Sequence, residues 1–178
     1  MQRKISAPDW SGEIHRVLKS QRVRQVSYVP DAGHKRLIEL CQGDRGMTSV
    51  PLTTEEEGIG LAAGAWLGGE RSALLMQSSG VGNCINALTL SANCGFPLLM
   101  LVTLRGEWGE FNPWQIPMGQ ATPEALRLGG VSTLRLERRD EAFETVTAAA
   151  KLAFDGYAAV AVLIGQRLIG TKSFGEQP

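Results

Sequence analysis

Three stretches of this chain are apolar from end to end, and they narrow the fold before any motif is considered. Ser72-Ala73-Leu74-Leu75-Met76-Gln77, Pro97 to Thr103 and Ala158 to Ile164 confine their polar residues to the ends. Each has the length of a β-strand and is too short to cross a bilayer as a helix. A strand that is apolar on both faces needs a cover on both, as the inner strands of a parallel sheet have between two layers of helices.

The segments between these runs supply that cover. Asp9 is placed to cap a helix in which Trp10, Ile14, Val17 and Leu18 recur at helical spacing. Gln25-Val26-Ser27-Tyr28-Val29 reads as a strand stopped by Pro30-Asp31-Ala32-Gly33, and a short helix follows from His34 to about Cys41. Met47 to Leu52 reads as a further strand. Thr54-Glu55-Glu56-Glu57 then opens a helix, with acids in the first turn where they complement the helix dipole. That helix carries Gly58, Gly60, Ala62, Ala63, Gly64 and Ala65, which predicts very close packing against a neighbour. The glycine-rich Ser78–Asn83 reads as a turn into a helix from Cys84 to Ala92, and Leu104–Gln120 as a long loop. Helices at 122–129 and 140–154 and a strand at 132–136 complete the series. The expectation is an α/β fold: a doubly wound, mostly parallel six-stranded sheet with helices on both faces. All 178 residues fit one domain, with residues 1–24 forming an N-terminal basic helix.

Charge and cysteine usage exclude several classes of function. Lys+Arg and Asp+Glu both number 18, which argues against a nucleic-acid binder that works through a broad basic surface. Residues 3–24 carry six Lys/Arg, a pattern that fits a solvated helix face better than a basic arm. Cys41, Cys84 and Cys94 form no CxxC pair, and only two histidines, His15 and His34, accompany them, so no metal site is expected. The thiols suit a reducing compartment as buried small hydrophobes. With no apolar segment behind Met-Gln-Arg-Lys, the expectation is a cytoplasmic protein without a membrane span.

In a doubly wound sheet, ligands bind where the strands end. That edge collects Pro30–His34, Thr53–Glu57, Ser78–Asn83 and Leu104–Gln120. Ser78–Asn83 lacks the lysine of a P-loop and the spacing of GxGxxG, so it is a tight connection that lets backbone approach a ligand. Successive helical positions point about 100° apart, so Glu55, Glu56 and Glu57 cannot share one environment, and one can face inward as a proton donor. Arg105 offers a planar fork for carboxylate, sulfonate or phosphonate oxygens, the alternative being an ion pair to Glu107 or Glu110.

Glu55-Glu56-Glu57-Gly58-Ile59-Gly60-Leu61-Ala62-Ala63-Gly64-Ala65 resembles the glutamate helix of the pyrimidine-binding (PYR) domain of thiamin-diphosphate enzymes. Counting back nine positions from Gly64 selects Glu55 as the family's glutamate. Ser79-Gly80-Val81-Gly82-Asn83 resembles the next turn, whose backbone lies along the aminopyrimidine ring. Leu104-Arg105-Gly106-Glu107-Trp108-Gly109, with Gln115 and Met118-Gly119 behind it, resembles the loop of sulfopyruvate and phosphonopyruvate decarboxylases.

The resemblance implies a catalytic Glu55 that hydrogen-bonds the pyrimidine ring nitrogen and favours the imino tautomer of the cofactor. It places Pro30, Ser79, Gly80, Val81, Gly82 and Asn83 against thiamin diphosphate, and Asp31, His34, Arg105 and Gln115 toward a small anionic 2-oxo acid. Val29-Pro30-Asp31-Ala32-Gly33-His34 departs from the Gly-Asp-x-Asn-like pattern of many such decarboxylases. The Gly-Asp-Gly…Asn-Asn magnesium motif of the diphosphate-binding (PP) domain is missing, Gly43-Asp44-Arg45-Gly46 being the nearest. The resemblance therefore implies an α subunit that meets Mg2+ and a separate PP-domain β subunit in a hetero-oligomer of αβ pairs. The implied activity is decarboxylation of sulfopyruvate, with phosphonopyruvate or another acidic 2-oxo acid as the alternative. A non-catalytic PYR-like assembly module is the alternative of another class.

Overall fold

A computed structural model describes residues 9–170. The first eight residues of the expected basic helix, Arg3 and Lys4 among them, lie outside the described residues. Six strands form one sheet: β1 (Val23–Tyr28), β2 (Thr48–Pro51), β3 (Arg71–Gln77), β4 (Leu98–Thr103), β5 (Ser132–Leu136) and β6 (Ala159–Ile164). Their order is β2-β1-β3-β4-β6-β5, and every neighbouring pair is parallel. The winding reverses between β1 and β3, which creates a crevice at the carboxyl ends of those two strands.

The alternation hidden inside the apolar runs becomes visible in the two cores. Along β4, Leu99 and Leu101 face one helical layer, while Leu98, Met100 and Val102 face the other. The first layer comprises α1 (Trp10–Ser20), α2 (Lys35–Gly43) and α7 (Ala142–Phe154), joined by the short α8 (Gln166–Ile169). The second comprises α3 (Glu55–Leu67), α4 (Ser78–Cys84) and α6 (Ile116–Leu128), with the short α5 (Thr89–Cys94) flanked by the core residues Leu88 and Phe96. Asp9 caps α1 as its sequence position predicts, accepting from the Gly12 backbone N–H at 3.2 Å. No helix among the described residues is long and apolar enough to cross a membrane.

Three local expectations are corrected. Ser78–Asn83 is not a turn but the body of α4, which starts directly at the end of β3. Val81 and Cys84 are pulled into the core on one side of it, and packing overrides the weak helix propensity of glycine and serine. The helix expected over 84–92 is accordingly split into α4 and α5. The long loop ends early, because a 3-10 turn at Pro113–Gln115 leads into α6 at Ile116. Pro113 and Pro117 occupy first-turn positions, where a missing N–H removes no hydrogen bond.

The close packing expected of α3 is real but one-sided. A Cβ on Gly58 would lie 2.4 Å from Leu74 Cδ1, so only glycine lets α3 settle onto β3. Gly60 and Gly64 face open space. Cys41 and Cys84 are buried as expected, with burial pushing both thiols up to about 12, whereas Cys94 is exposed.

Candidate active site

Glu55 is the first residue of α3, with Thr54 as its cap residue. Of the three consecutive glutamates only Glu55 is buried, at 8% exposure; Glu56 and Glu57 point outward. Glu57 turns back to accept the Thr53 backbone N–H at 3.0 Å, a capping contact that fixes the start of the helix. Glu55 points toward α4. Asn83 Nδ2 donates to Glu55 Oε2 at 2.8 Å, while Oε1 has no hydrogen-bond partner among the described residues. A Cβ on Gly80 would lie 2.4 Å from both the carboxyl carbon and Oε1 of Glu55. The bare Cα of Gly80 is therefore what lets this carboxylate occupy its place.

The crevice between β1 and β3 is tied together by Asp31. Its carboxylate accepts from Gln77 Nε2 at 2.9 Å and from Thr103 Oγ1 at 2.6 Å, linking the ends of β1, β3 and β4. Ser79 Oγ donates to Gln77 Oε1 at 3.0 Å, which continues the chain into α4. Burial alone would raise the Asp31 pKa. His34, together with donors from Thr103, the Gly33 backbone and Gln77, outweighs it and holds the carboxyl below its ordinary value.

His34 is fully buried. Its Nε2 lies 3.0 Å from the Leu101 carbonyl, which only accepts, so Nε2 carries the proton and Nδ1 is left unpartnered. Burial pushes its pKa down and keeps the ring neutral near pH 7.

Arg105 follows β4 and is 9% exposed. Its backbone N–H donates to Ser78 Oγ at 3.1 Å. Nε and Nη2 form a bidentate pair with Glu110 at 2.5 and 2.6 Å, the ion-pair alternative for this guanidinium. Nη1 has no partner among the described residues. Glu110 also accepts from Gln166 Nε2 at 2.9 Å and the Asn112 backbone at 3.1 Å. The Arg105 fork is the leading cause that holds Glu110 down to about 2. Gln166 Oε1 in turn accepts the backbone N–H groups of Glu107 and Trp108, both at 3.0 Å, and strap the loop to the end of β6.

The remaining candidates are distributed around this rim. Pro30 is exposed beside Asp31, and Gly82 faces Met118. The Val81 side chain is buried in the second core, leaving only its backbone for a ligand. Gln115 is half-buried, with Oε1 enclosed and unpartnered. Gln77, Thr103 and Gln166 were not singled out by the sequence. The available signal was a polar residue at the end of an apolar strand, which marks Gln77 and Thr103 but says nothing of Gln166.

A buried glutamate at a helix start thus lies flush against a glycine on the adjoining helix. The family described as "Thiamine pyrophosphate enzyme, N-terminal TPP binding domain" matches residues 11–115. The sulfopyruvate decarboxylase subunit alpha of Methanococcus maripaludis is 36% identical over 155 residues, covering 86% of this chain and 93% of the relative. That of Methanothermobacter thermautotrophicus is 35% identical over 157 residues, covering 88% and 95%. A phosphonopyruvate decarboxylase of Streptomyces viridochromogenes is 36% identical over 108 residues, covering 60% of this chain and 27% of the relative. A 2-oxoglutarate:ferredoxin oxidoreductase from Magnetococcus marinus shares the fold, with a TM-score of 0.75 at 16% identity over 90% of this chain and 29% of its own. The chain belongs to the thiamine pyrophosphate enzymes, and within them to the family of sulfopyruvate decarboxylase α subunits.

Proposed function

We propose that this chain is the α subunit of a two-subunit thiamin-diphosphate-dependent decarboxylase that converts sulfopyruvate to sulfoacetaldehyde and carbon dioxide. The observation that carries the reading is the Glu55 carboxylate: buried, held by Asn83 through Oε2, and open at Oε1 beside the bare Cα of Gly80. The donor set fits an aminopyrimidine, which needs one carboxylate oxygen at a ring nitrogen and a flat backbone surface along its face. Bound thiamin diphosphate supplies a nucleophilic carbon and a sink for the electron pair left as carbon dioxide departs.

The chain's own residues then have distinct tasks. Glu55 Oε1 shares a proton with the ring nitrogen, and Asn83 keeps the carboxylate aimed. The backbone of Ser79–Asn83 and the ring of Pro30 line the cofactor's pyrimidine half. Asp31, fixed in its ionised form by Thr103 and Gln77, faces the substrate side with the neutral His34 behind it. Glu110 and Gln166 hold the Arg105 fork so that Nη1 is left to meet the substrate's anionic group, with Gln115 nearby.

Mg2+ and the diphosphate fall to a partner. No group of three or more His, Cys, Asp or Glu that could hold a metal occurs among the described residues. A PP-domain β subunit carrying Gly-Asp-Gly…Asn-Asn would supply the oxygen ligands that such an ion needs, in an assembly of αβ pairs. The test is reconstitution with such a subunit, thiamin diphosphate and Mg2+, following carbon dioxide release from sulfopyruvate, phosphonopyruvate and pyruvate. Preferential turnover of sulfopyruvate is the expected result. Faster turnover of phosphonopyruvate would reassign the substrate, and no turnover of any of the three would favour a non-catalytic assembly module.

A further inference from the structure

The edge of the sheet opposite the candidate active site carries a second concavity. A cavity of about 410 Å3 opens at the amino ends of β1 and β3, lined by Ser20, Arg22, Arg24, Gly69, Glu70 and Arg71. Three arginines line it, and each is placed there by a separate structural feature.

Arg22 holds φ at +58°, a left-handed conformation that costs a non-glycine residue free energy. The register of β1 against β3 shifts between Val23 and Gln25, so Arg24 is the bulged residue, and bulges re-aim side chains. Arg71 is anchored from both sides, donating to the Gln21 carbonyl at 3.2 Å and lying over the Phe154 ring at 4.8 Å.

The charges are poorly compensated. Arg22 and Arg24 form no ion pair among the described residues; Arg24 donates only to the Gly46 carbonyl, at 3.2 Å. Arg71 reaches Asp155 at 3.4 Å, but that carboxylate is 63% exposed to solvent. Glu70 is the one acidic side chain in the lining. Asp44, in the adjoining groove, is taken by Lys19 at 2.7 Å and faces His15 at 3.1 Å. In a chain with no net charge, such a local excess of guanidinium is favoured by a bound anion.

We propose that Arg22, Arg24 and Arg71 form a binding site for a small phosphorylated molecule at the amino edge of the sheet. The cavity has room for more than one phosphate group, and the planar forks suit phosphate oxygens better than a point charge would. The site lies the length of a strand, about 20 Å, from the carboxyl edge, so it is independent of the decarboxylase reading.

The test titrates inorganic pyrophosphate, and separately inorganic phosphate, into the purified full chain at low salt by calorimetry. The partner variant is Arg22→Gly with Arg24→Gln. Glycine accepts the left-handed conformation, so this variant removes two charges while relieving backbone strain, and its melting temperature should not fall. Saturable one-site binding of pyrophosphate is expected, tighter than that of phosphate and weakened at least about tenfold in the variant. A linear, non-saturating heat, or equal binding by the variant, would overturn the proposal. So would a single-stranded oligonucleotide that binds the same residues more tightly than pyrophosphate at 150 mM salt, a concentration at which the Debye length is about 8 Å.

Discussion

Gly80 lies against Glu55 so closely that a Cβ at position 80 would sit 2.4 Å from the carboxyl carbon. The contact joins the first turn of α3 to α4, and with the Asn83 hydrogen bond it fixes the carboxylate from two sides. Gly80→Ala should therefore displace Glu55. A misplacement near 1 Å costs about 10²-fold in rate, and the overpacking about 1–3 kcal/mol in stability. Steady-state turnover and thermal melting of the variant check both.

Asn83→Ala separates aim from fold. Asn83 is exposed and its one donor bond goes to Glu55, so its loss should leave stability within about 1 kcal/mol of wild type. Turnover should drop about tenfold, with cofactor affinity following, as measured by quenching of protein fluorescence on thiamin diphosphate addition. Equal losses of stability and rate would instead make Asn83 a structural residue.

Acid should find the Arg105–Glu110 pair. The Glu110 carboxyl is held at about 2 in the folded chain against an ordinary 4.5. A depressed carboxyl contributes stability that is present above pH 4.5 and is lost as pH falls toward 2. Glu110→Gln should flatten the unfolding free energy across that window. Glu110→Ala should cost about 3–5 kcal/mol at neutral pH, because it leaves a buried guanidinium uncompensated.

His34 acts in a higher window. Its folded pKa lies below 6.5, so the unfolded chain binds a proton that the folded chain refuses. Stability from this group is full above pH 6.5 and declines as pH falls below it. His34→Gln, whose amide N–H can still reach the Leu101 carbonyl, should reduce that slope in denaturant titrations between pH 5 and pH 7, about the range in which a histidine titrates.

Gly60 and Gly64 test the partner. Both face open space on α3, where alanine is worth about 1 kcal/mol more than glycine. Gly60→Ala should raise the melting temperature of the free chain, and a weaker complex in the same variant would place the proposed PP-domain subunit on this face. Gly58→Ala, pressed on Leu74, should destabilise both.

What the sequence discloses and what it hides divide along physical lines. The runs at 72–77, 97–103 and 158–164 disclose buried parallel strands, because a strand covered on both faces has no polar alternation to display. Glu55 is legible as the inward member of three glutamates, since a helix cannot turn all three to one side. Ser78–Asn83 misleads because its local preference is for a turn, and only the core positions of Val81 and Cys84 make it helical. The Asp31 network is hidden because its partners arrive from strands 46 and 72 residues away in sequence. Gln166 is hidden for the same reason, lying 59 residues from the backbone of Glu107 that it holds.

The most direct measurement is the rate of carbon dioxide release from sulfopyruvate by the reconstituted αβ pair, with Glu55→Gln beside the wild type. The replacement keeps the shape and the bond from Asn83 but cannot share a proton with the cofactor ring. A folded, cofactor-loaded Glu55→Gln complex slower by about 10³-fold, in the middle of the range of general acid–base effects, is the predicted result. Turnover within about threefold of wild type, less than one kcal/mol of barrier, would contradict the assignment of Glu55 and with it the site described above.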